Sequence, residues 1–240
     1  MNKVYAFSDL HGMYNLWKQI KEHCDESDTL IFLGDAADRG PDGLKIIKEL
    51  LADKKVIYLK GNHEEFLIEV GLELLEGRTA GIPLWKENGG EPTYNALLGE
   101  PEEDAKRLLR RLEKLPESME YTNKKGQTIF LSHAGCPITG LYEYRLSGKK
   151  INYLWDRDHL SWDPYYKNEI KEKSPYIVHG HTPVPLLRKF MPVLIVNEYE
   201  VYFYCEGHKI DIDLGCFATN KIALLDLDTF EPIYFYTKES

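Results

Sequence analysis

The stretch KVYAFSDLHGMYNLWKQIKEHCDESDTLIFLGDAADRG, residues 3–40, contains the pattern that decides the fold. Its mostly apolar run from Lys3 to Ser8 predicts a strand, and apolar residues then recur at helical spacing between Met13 and Cys24. A second apolar run, Thr29 to Leu33, predicts another strand. Strand, helix and strand in this order predict two parallel strands joined by a helix that packs on the sheet.

The same alternation continues outward from this unit. Leu44 to Leu51 has the spacing of a second helix, and Val56 to Leu59 predicts a third strand. Residues 65 to about 121 are rich in helix formers and predict a helical flank or cap rather than a separate domain. Further strands are predicted at Thr128 to Ser132, Tyr176 to Val178, Val193 to Val196, Val201 to Tyr204, Ile210 to Ile212, Ile222 to Leu227 and Ile233 to Tyr236. We therefore expect one α/β domain over residues 1–240.

The composition argues against several classes of protein. Acidic residues number 39 and basic residues 30, and the resulting net charge of −9 does not attract nucleic acid. No apolar run is long enough for a membrane span, and the amino terminus lacks an export-signal pattern, so we expect a soluble, cytoplasmic protein. The scattered cysteines include no CxxC pair, which argues against a thiolate zinc site.

Five short segments share one design, in which an apolar strand ends in polar residues able to bind metal. They are AFSDLHG with Asp9 and His11, FLGDAADRG with Asp35, Asp38 and Arg39, YLKGNHE with Asn62, His63 and Glu64, FLSHAG with His133, and IVHGHTP with His179 and His181. Ligands in open α/β sheets bind at the carboxyl ends of strands, so these segments can converge in space.

The residue types in these segments indicate a pair of transition-metal ions. The predicted ligands are Asp9, His11, Asp35, Asn62, His133 and His181. Carboxylates, imidazoles and a carboxamide suit Mn, Fe, Zn or Ni, and six protein ligands are too many for one catalytic ion that keeps open positions. Two ions that share a bridging carboxylate, roughly 3.5–4 Å apart, would clamp both the attacking and the leaving oxygen of a displacement.

Each segment also has a structural explanation. Asp9 before a helix can be an N-cap, GDAADRG and GNHE can be turns, and His133 can be a satisfied core histidine. Those explanations do not account for five such strand ends in one chain. The polar surroundings of His23, His159 and His208 predict surface histidines, whereas His179 is predicted to support the site from behind a ligand.

The five segments resemble the metallophosphoesterase (calcineurin-like) superfamily, and GDxxDRG, GNHE and SHAG resemble its phosphoprotein phosphatase branch, which contains bacterial and phage serine/threonine phosphatases. KENGGEPT, LWDRD and IDIDLGC are similar to later segments of the bacterial members. The resemblance implies a four-layer αββα sandwich of two mixed sheets flanked by helices. It also implies a hydrolase with two divalent metal ions, most often manganese, and in-line attack by a metal-bridging hydroxide.

The resemblance assigns a role to each matching residue. It implies that Asp9, His11 and Asp35 bind the first metal, and that Asp35 bridges to a second metal held by Asn62, His133 and His181. His63 would protonate the leaving alkoxide, oriented by Asp38, and Arg39 and Arg157 would hold the phosphoryl oxygens. Arg145 is an alternative to Arg157 as the second arginine.

Three functions follow from the same residues. The leading hypothesis is hydrolysis of phosphoserine or phosphothreonine in a protein, with a small phosphate ester as the wider substrate class. The alternative enzyme is a symmetrical dinucleoside polyphosphate hydrolase. One branch of those enzymes has GDxxARG, whereas Asp38 is present here, but Tyr142, Tyr144, Tyr153 and Trp155 are aromatic residues able to stack on a base. A non-catalytic scaffold is disfavoured, because the six ligands and His63 are all present.

Overall fold

The computed structural model describes residues 2–135, 152–161, 176–191 and 197–237. Within these ranges the chain forms two five-stranded sheets. The first sheet has the order β10-β9-β1-β2-β3. Its strands are β1 (Val4–Phe7), β2 (Thr29–Phe32), β3 (Val56–Tyr58), β9 (Lys221–Asp226) and β10 (Pro232–Tyr236). Strands β1, β2 and β3 are parallel, as predicted, and β9 runs antiparallel to β1 and β10.

The second sheet has the order β4-β5-β6-β8-β7. Its strands are β4 (Ser118–Thr122), β5 (Thr128–Ser132), β6 (Tyr176–His179), β7 (Tyr202–Tyr204) and β8 (Lys209–Asp211). The three central strands β5, β6 and β8 are parallel, and both edge pairs are antiparallel. The sequence-predicted strands in the described ranges are present, with ends shifted by at most one residue. The strand predicted at Val193 to Val196 lies outside the described residues.

Alternation along the strands decides how the layers pack. In β1, Tyr5 and Phe7 face a core formed with helices on one side of the first sheet, while Ala6 faces the second sheet. The inner layer between the sheets contains Ile31 of β2 and Val178 of β6. Two mixed sheets packed face to face with flanking helices confirm the predicted fold class.

The helices follow the predicted order in the first half of the chain. They are α1 (Tyr14–His23), α2 (Gly43–Ala52), α3 (Asn62–Leu75), α4 (Ile82–Glu87), α5 (Glu91–Leu98), α6 (Glu102–Glu113) and α7 (Cys216–Thr219). Short 3-10 helices lie at Asp158–Ser161 and Val184–Lys189. None of the described helices has the length and apolar character needed to cross a membrane.

The predicted helical flank ends earlier than expected. Residues 118–121 were assigned to it, but they form most of β4, which pairs with β5 in the register Ser118 to Ser132. Pro116 cannot continue a helix, and the next residues gain backbone hydrogen bonds from a strand that follows them in sequence. This partner lies outside any local helical pattern, so periodicity did not reveal it.

Candidate metal centre

The polar strand ends predicted from the sequence meet at one edge of the two sheets. Strained backbone marks this edge, because six non-glycine residues there have left-handed φ angles between 41° and 69°: Asp9, His11, Asp35, Asp38, Arg39 and His181. Such conformations cost energy and persist only where surrounding contacts enforce them. Those contacts include backbone hydrogen bonds between the β1 and β2 loops, from Asp9 N–H to the Gly34 carbonyl at 3.0 Å and from His11 N–H to the Asp35 carbonyl at 2.9 Å.

Asp35 is the centre of this arrangement. Its Oδ2 lies 3.6 Å from His11 Nε2 and 3.4 Å from His133 Nε2. Two buried sets of potential ligand atoms share Asp35, and within each set the atoms lie within 4.8 Å of one another. The sets are His11, Asp35 and His63, and Asp35, His133 and His181. A carboxylate common to both sets has the position needed to bridge two ions.

The second set has a complete donor group for a divalent ion. His133 Nε2 and His181 Nδ1 are 3.2 Å apart, and both lie within 2.9 Å of the Asn62 side-chain oxygen. The other ring nitrogen of His133 contacts the Leu33 carbonyl at 3.0 Å, which orients Nε2 towards Asn62. Two imidazoles, a carboxamide and a carboxylate fit Mn, Fe, Zn or Ni.

The first set differs in one respect from the sequence prediction, because it contains His63 rather than Asp9. Asp9 is still adjacent, with Oδ1 3.8 Å from His11 Nε2, while its Oδ2 accepts hydrogen bonds from Ser8 and from the His181 amide. His11 Nδ1 contacts the Ala37 carbonyl at 2.9 Å, leaving Nε2 directed at the centre. The structure therefore brings all six predicted ligands together.

The electrostatics of the buried centre suit a cation. Burial raises the pKa of Asp9, and the neighbouring Asp35 carboxylate raises it further. Burial lowers the pKa values of His11 and His181 well below the usual value, which favours the neutral imidazole that binds metal. Burial opposes the charged form of Asp35, but the imidazoles of His133 and His63 hold its pKa well below the usual range. Burial lowers the pKa of His133, but the carboxylates of Asp35 and Asp9 outweigh it and raise the pKa to about 9, so a metal ion bound at its Nε2 would replace a proton there. Carboxylates that attract a proton also attract a divalent cation, and the donor set thus fits a divalent pair.

Glu64 holds the Asp35 loop in place, a role that the sequence analysis missed. Its buried carboxylate accepts hydrogen bonds from the amides of Asp35 at 2.7 Å, Ala36 at 2.8 Å, Ala37 at 3.3 Å and Gly61 at 2.8 Å. Gly61 has no space for a side chain, because a Cβ there would lie 2.2 Å from the Asp35 carboxylate. The spacing of a glutamate three residues after a helix cap was the available signal.

His63 and Asp38 form a buried pair beside the ligand groups. Asp38 Oδ2 lies 2.7 Å from His63 Nδ1 and accepts a second hydrogen bond from Trp85 Nε1 at 2.9 Å. Burial lowers the pKa of His63, but the carboxylates of Asp35 and Asp38 outweigh it and hold the pKa above its usual value. The Thr93 hydroxyl oxygen accepts a hydrogen bond from the Asp38 backbone amide at 2.8 Å. Trp85 and Thr93 flank the Asn-Gly-Gly segment but carried no chemical signal in the sequence.

Arg39 faces the centre from the same loop. Its guanidinium contacts His11 Nε2, and its Nη2 lies 3.2 Å from His63 Nε2. The Arg39 amide donates to the Gly89 carbonyl at 2.8 Å. Gly89 has a φ of 93°, and a Cβ there would lie 2.9 Å from Arg39 Cγ, so this position requires glycine. KENGGEPT therefore holds the Arg39 backbone in place through Gly89.

Arg157 approaches from the second sheet. Its Nε donates to the Thr182 hydroxyl at 3.1 Å, and its guanidinium lies 5.3 Å from the centre of the Phe190 ring. Burial lowers its pKa, while the charges of Asp213 and Asp35 raise it. Its partner Thr182 follows the proposed ligand His181 directly in the chain. Arg145, Tyr142 and Tyr144 lie outside the described residues.

The predictions for the remaining histidines are partly wrong. His159 was expected at the surface, but it is 1% exposed, and its ring packs edge-on against His179 at 4.8 Å between centroids. His179 Nε2 lies 2.7 Å from the Tyr204 hydroxyl, so His179 supports the sheet rather than a ligand. Strand alternation does not apply, because the chain leaves β6 before His181. His23 is exposed, and His208 is partly buried against Tyr176.

Comparisons with known proteins agree with this geometry. Residues 2–212 match the family model described as calcineurin-like phosphoesterase. The chain is 28% identical to an asymmetrical bis(5'-nucleosyl)-tetraphosphatase of Oceanobacillus iheyensis, over 92% of this chain and 86% of that protein. It is 25% identical to serine/threonine-protein phosphatase 1 of Salmonella typhimurium, over 83% and 87% of the two chains.

The fold is also found in solved structures. A metallophosphoesterase from Sphaerobacter thermophilus superimposes with a TM-score of 0.57 at 16% identity, covering 99% of this chain and 88% of that one. The family match covers most of the chain, and the matched range includes the five polar strand ends. This chain therefore belongs to the calcineurin-like phosphoesterase family and is a metal-dependent hydrolase.

Proposed function

We propose that this protein hydrolyses phosphoserine and phosphothreonine in proteins. The observation that carries the proposal is the buried pair of His63 and Asp38 beside the two ligand sets. Serine and threonine are poor leaving groups, because their alkoxides must be protonated as the phosphorus–oxygen bond breaks. A proton donor fixed beside the metal centre meets that need.

Asp9, His11 and Asp35 are proposed to hold the first ion, and Asp35, Asn62, His133 and His181 the second. Manganese is the metal that we expect, with iron, zinc or nickel as alternatives. Two such ions, when bound, supply the nucleophile from water and neutralise charge on the phosphoryl oxygens. Every proposed ligand is buried, so the ions would lie in surroundings where electrostatic stabilisation is stronger than in bulk water.

The remaining residues bind the substrate and move one proton. Arg39 and Arg157 enter from opposite sheets, so their guanidinium groups can hold two different phosphoryl oxygens. His63 carries the proton on Nε2 and transfers it to the leaving oxygen. The Asp38 carboxylate accepts from Nδ1, which fixes the ring orientation and stabilises the protonated ring, and Trp85 holds that carboxylate in place.

A second candidate is hydrolysis of dinucleoside polyphosphates. It is favoured by the relative in Oceanobacillus iheyensis and by a symmetrical bis(5'-nucleosyl)-tetraphosphatase of Buchnera aphidicola, which is 33% identical over 68% of this chain and 53% of that protein. The pair of Asp38 and His63 favours the first candidate. When a phosphoanhydride is cleaved, the leaving group is a phosphate anion, which needs less help from a proton donor than an alkoxide does. The cytoplasmic location and the single-domain organisation stay predictions.

A direct competition between substrates tests the proposal. Metal-stripped protein reconstituted with manganese is assayed for phosphate release from a phosphothreonine peptide and for nucleotide release from diadenosine tetraphosphate. We expect the peptide to have the higher kcat/KM by at least about tenfold, which corresponds to roughly 1.4 kcal/mol of transition-state binding. Faster nucleotide cleavage, or no peptide turnover with manganese bound, would contradict it.

A further inference from the structure

Two aromatic side chains lie beside the metal centre and have no part in the chemistry described above. The Phe66 ring centre lies 6.3 Å from the His63 ring, and the Trp155 ring lies 6.2 Å from that of His181. Phe66 and Trp155 pack edge to face at 5.4 Å, and both are half-buried. We call this pair the aromatic shelf. Phe66 packs near His63, the proposed proton donor to the leaving oxygen, so the shelf is adjacent to the place proposed for the leaving group.

The shelf is held rigid by a neighbouring carboxylate. Trp155 Nε1 donates to Glu65 Oε2 at 2.6 Å, a bond that joins the loop before Arg157 to the first turn of α3. The Trp155 amide donates to the Asn152 side-chain oxygen at 3.1 Å. A ring fixed at its polar edge keeps its remaining surface in one orientation, and fixed aromatic faces favour planar partners.

The surface beyond the shelf is acidic. Phe66 borders a groove of about 470 Å³ that is also lined by Glu69, Val70 and Leu84. Glu65, Glu69 and Glu73 recur every four residues along α3, so they lie on one helix face. Burial and the neighbouring carboxylates raise the pKa of Glu69, and Arg78 pairs with Glu73 and Glu76 at the far end. A polyanionic leaving group is repelled here, whereas a peptide is not.

We propose that the aromatic shelf of Phe66 and Trp155 binds an aromatic side chain adjacent to the phosphorylated residue of a protein substrate. This inference rests on the proposed phosphatase function and adds to it a preference on the leaving-group side. Phe66 and Trp155 are specificity residues, and Glu65 is a positioning residue that acts through the indole.

Two small esters test the shelf apart from the rest of a peptide. Benzyl phosphate and cyclohexylmethyl phosphate both release a primary alcohol, so they make similar demands on His63, but only the first has a planar ring. We expect the manganese-loaded protein to favour benzyl phosphate in kcat/KM by about fivefold to tenfold, the range of one aromatic contact. Equal kcat/KM values for the two esters would overturn the proposed role of the shelf and leave the proposed phosphatase function intact. Failure to cleave any ester with manganese bound would instead contradict the proposed function.

Variants identify the residues responsible. Trp155→Leu and Phe66→Leu are each expected to bring the ratio of the two esters towards one, with manganese content unchanged. Phe203→Leu, on the edge strand β7 and 41% exposed, is the matched control and is expected to keep the ratio. Glu65→Ala is expected to lower the ratio and Glu65→Gln to restore it, because the amide oxygen still accepts from the indole. A lower ratio in the control, or no change in either shelf variant, would overturn the assignment.

Peptides identify the source of the ring. Phosphothreonine peptides with phenylalanine or cyclohexylalanine placed before or after the phosphorylated residue are compared with diadenosine tetraphosphate. We expect the phenylalanine peptide to be preferred in at least one position, and Trp155→Leu to abolish that preference. If diadenosine tetraphosphate is cleaved faster than the peptides, and Trp155→Leu removes this advantage, the shelf binds a nucleotide base. That result would overturn the assignment to a protein side chain.

Discussion

The two halves of the metal centre are built differently. On the first sheet, Asp9, His11, Asp35 and His63 follow three parallel strands within the first 63 residues, and backbone hydrogen bonds join the loops after β1 and β2. On the second sheet, His133 and His181 follow the parallel neighbours β5 and β6, and a backbone hydrogen bond from the Gly180 amide to the His133 carbonyl joins their loops. Arg157 comes from a separate segment and is held by the Thr182 hydroxyl. The first half is therefore an extension of the sheet throughout, whereas the second half includes Arg157, whose position depends on a long-range side-chain contact.

The strongest test of this comparison is the residue that joins the halves. Asp35→Asn removes the shared charge while keeping the shape, so it should lower kcat/KM on a phosphothreonine peptide by about a thousandfold or more, in the range lost with a main electrostatic group. Manganese content, measured by elemental analysis, should fall below two ions per chain. Asp25→Asn, an exposed change, is the control, and two retained ions in Asp35→Asn would contradict the bridging role.

The next test stays within the first half. His63→Asn should lower kcat on a phosphothreonine peptide by about a hundredfold to ten-thousandfold, because the leaving alkoxide loses its proton donor. The same variant should lose far less kcat on an aryl phosphate, whose leaving group needs little protonation. Manganese content should stay the same. An equal loss on both esters would show that His63 acts mainly as a metal ligand, as its place in the first ligand set allows.

Trp85→Phe examines the support behind that histidine. It removes the hydrogen bond to Asp38 Oδ2 and leaves a buried acceptor with one partner fewer. We expect kcat on the phosphothreonine peptide to fall by about tenfold, the effect of roughly 1.4 kcal/mol. On an aryl phosphate kcat should change little, and this contrast separates a positioning role from general damage. Trp17→Phe, which removes an indole hydrogen bond from α1 to Glu49 of α2, is the control.

The smallest effect on catalysis is expected for a change in the second half of the metal centre, at Thr182. Thr182→Val keeps the side-chain shape but removes the oxygen that accepts from Arg157 Nε. KM for the phosphothreonine peptide should rise by about fivefold with a smaller change in kcat, as expected for about 1 kcal/mol lost from one hydrogen bond. Thr79→Val, at an exposed position, should leave KM unchanged. An unchanged KM in Thr182→Val would show that Arg157 is held by other contacts.

Much of the fold and of the ligand set could be predicted because both depend on local patterns. Apolar periodicity predicted the β-α-β-α-β unit, and polar residues at strand ends predicted a site where those ends meet. The strand β4 was missed, because its five residues have a short, weakly apolar pattern and depend on pairing with β5. Burial of His159 was missed for a similar reason, since its contact with His179 joins two distant segments.

By itself, the sequence determined which chemical groups the site contains and the order in which the strands deliver them, because strand ends and ligand types are properties of short segments. Only the tertiary structure decided how those groups are oriented. The hydrogen bond between Trp85 and Asp38 joins residues 47 positions apart in the sequence. The bond between Glu65 and Trp155 spans 90 positions, and the contact between Asn62 and His181 spans 119. Such contacts form only when distant segments pack together: α4 against the core on the first sheet for Trp85, and the two sheets on each other for Asn62 and His181. The support of the proton donor and the aromatic shelf therefore have no local signal.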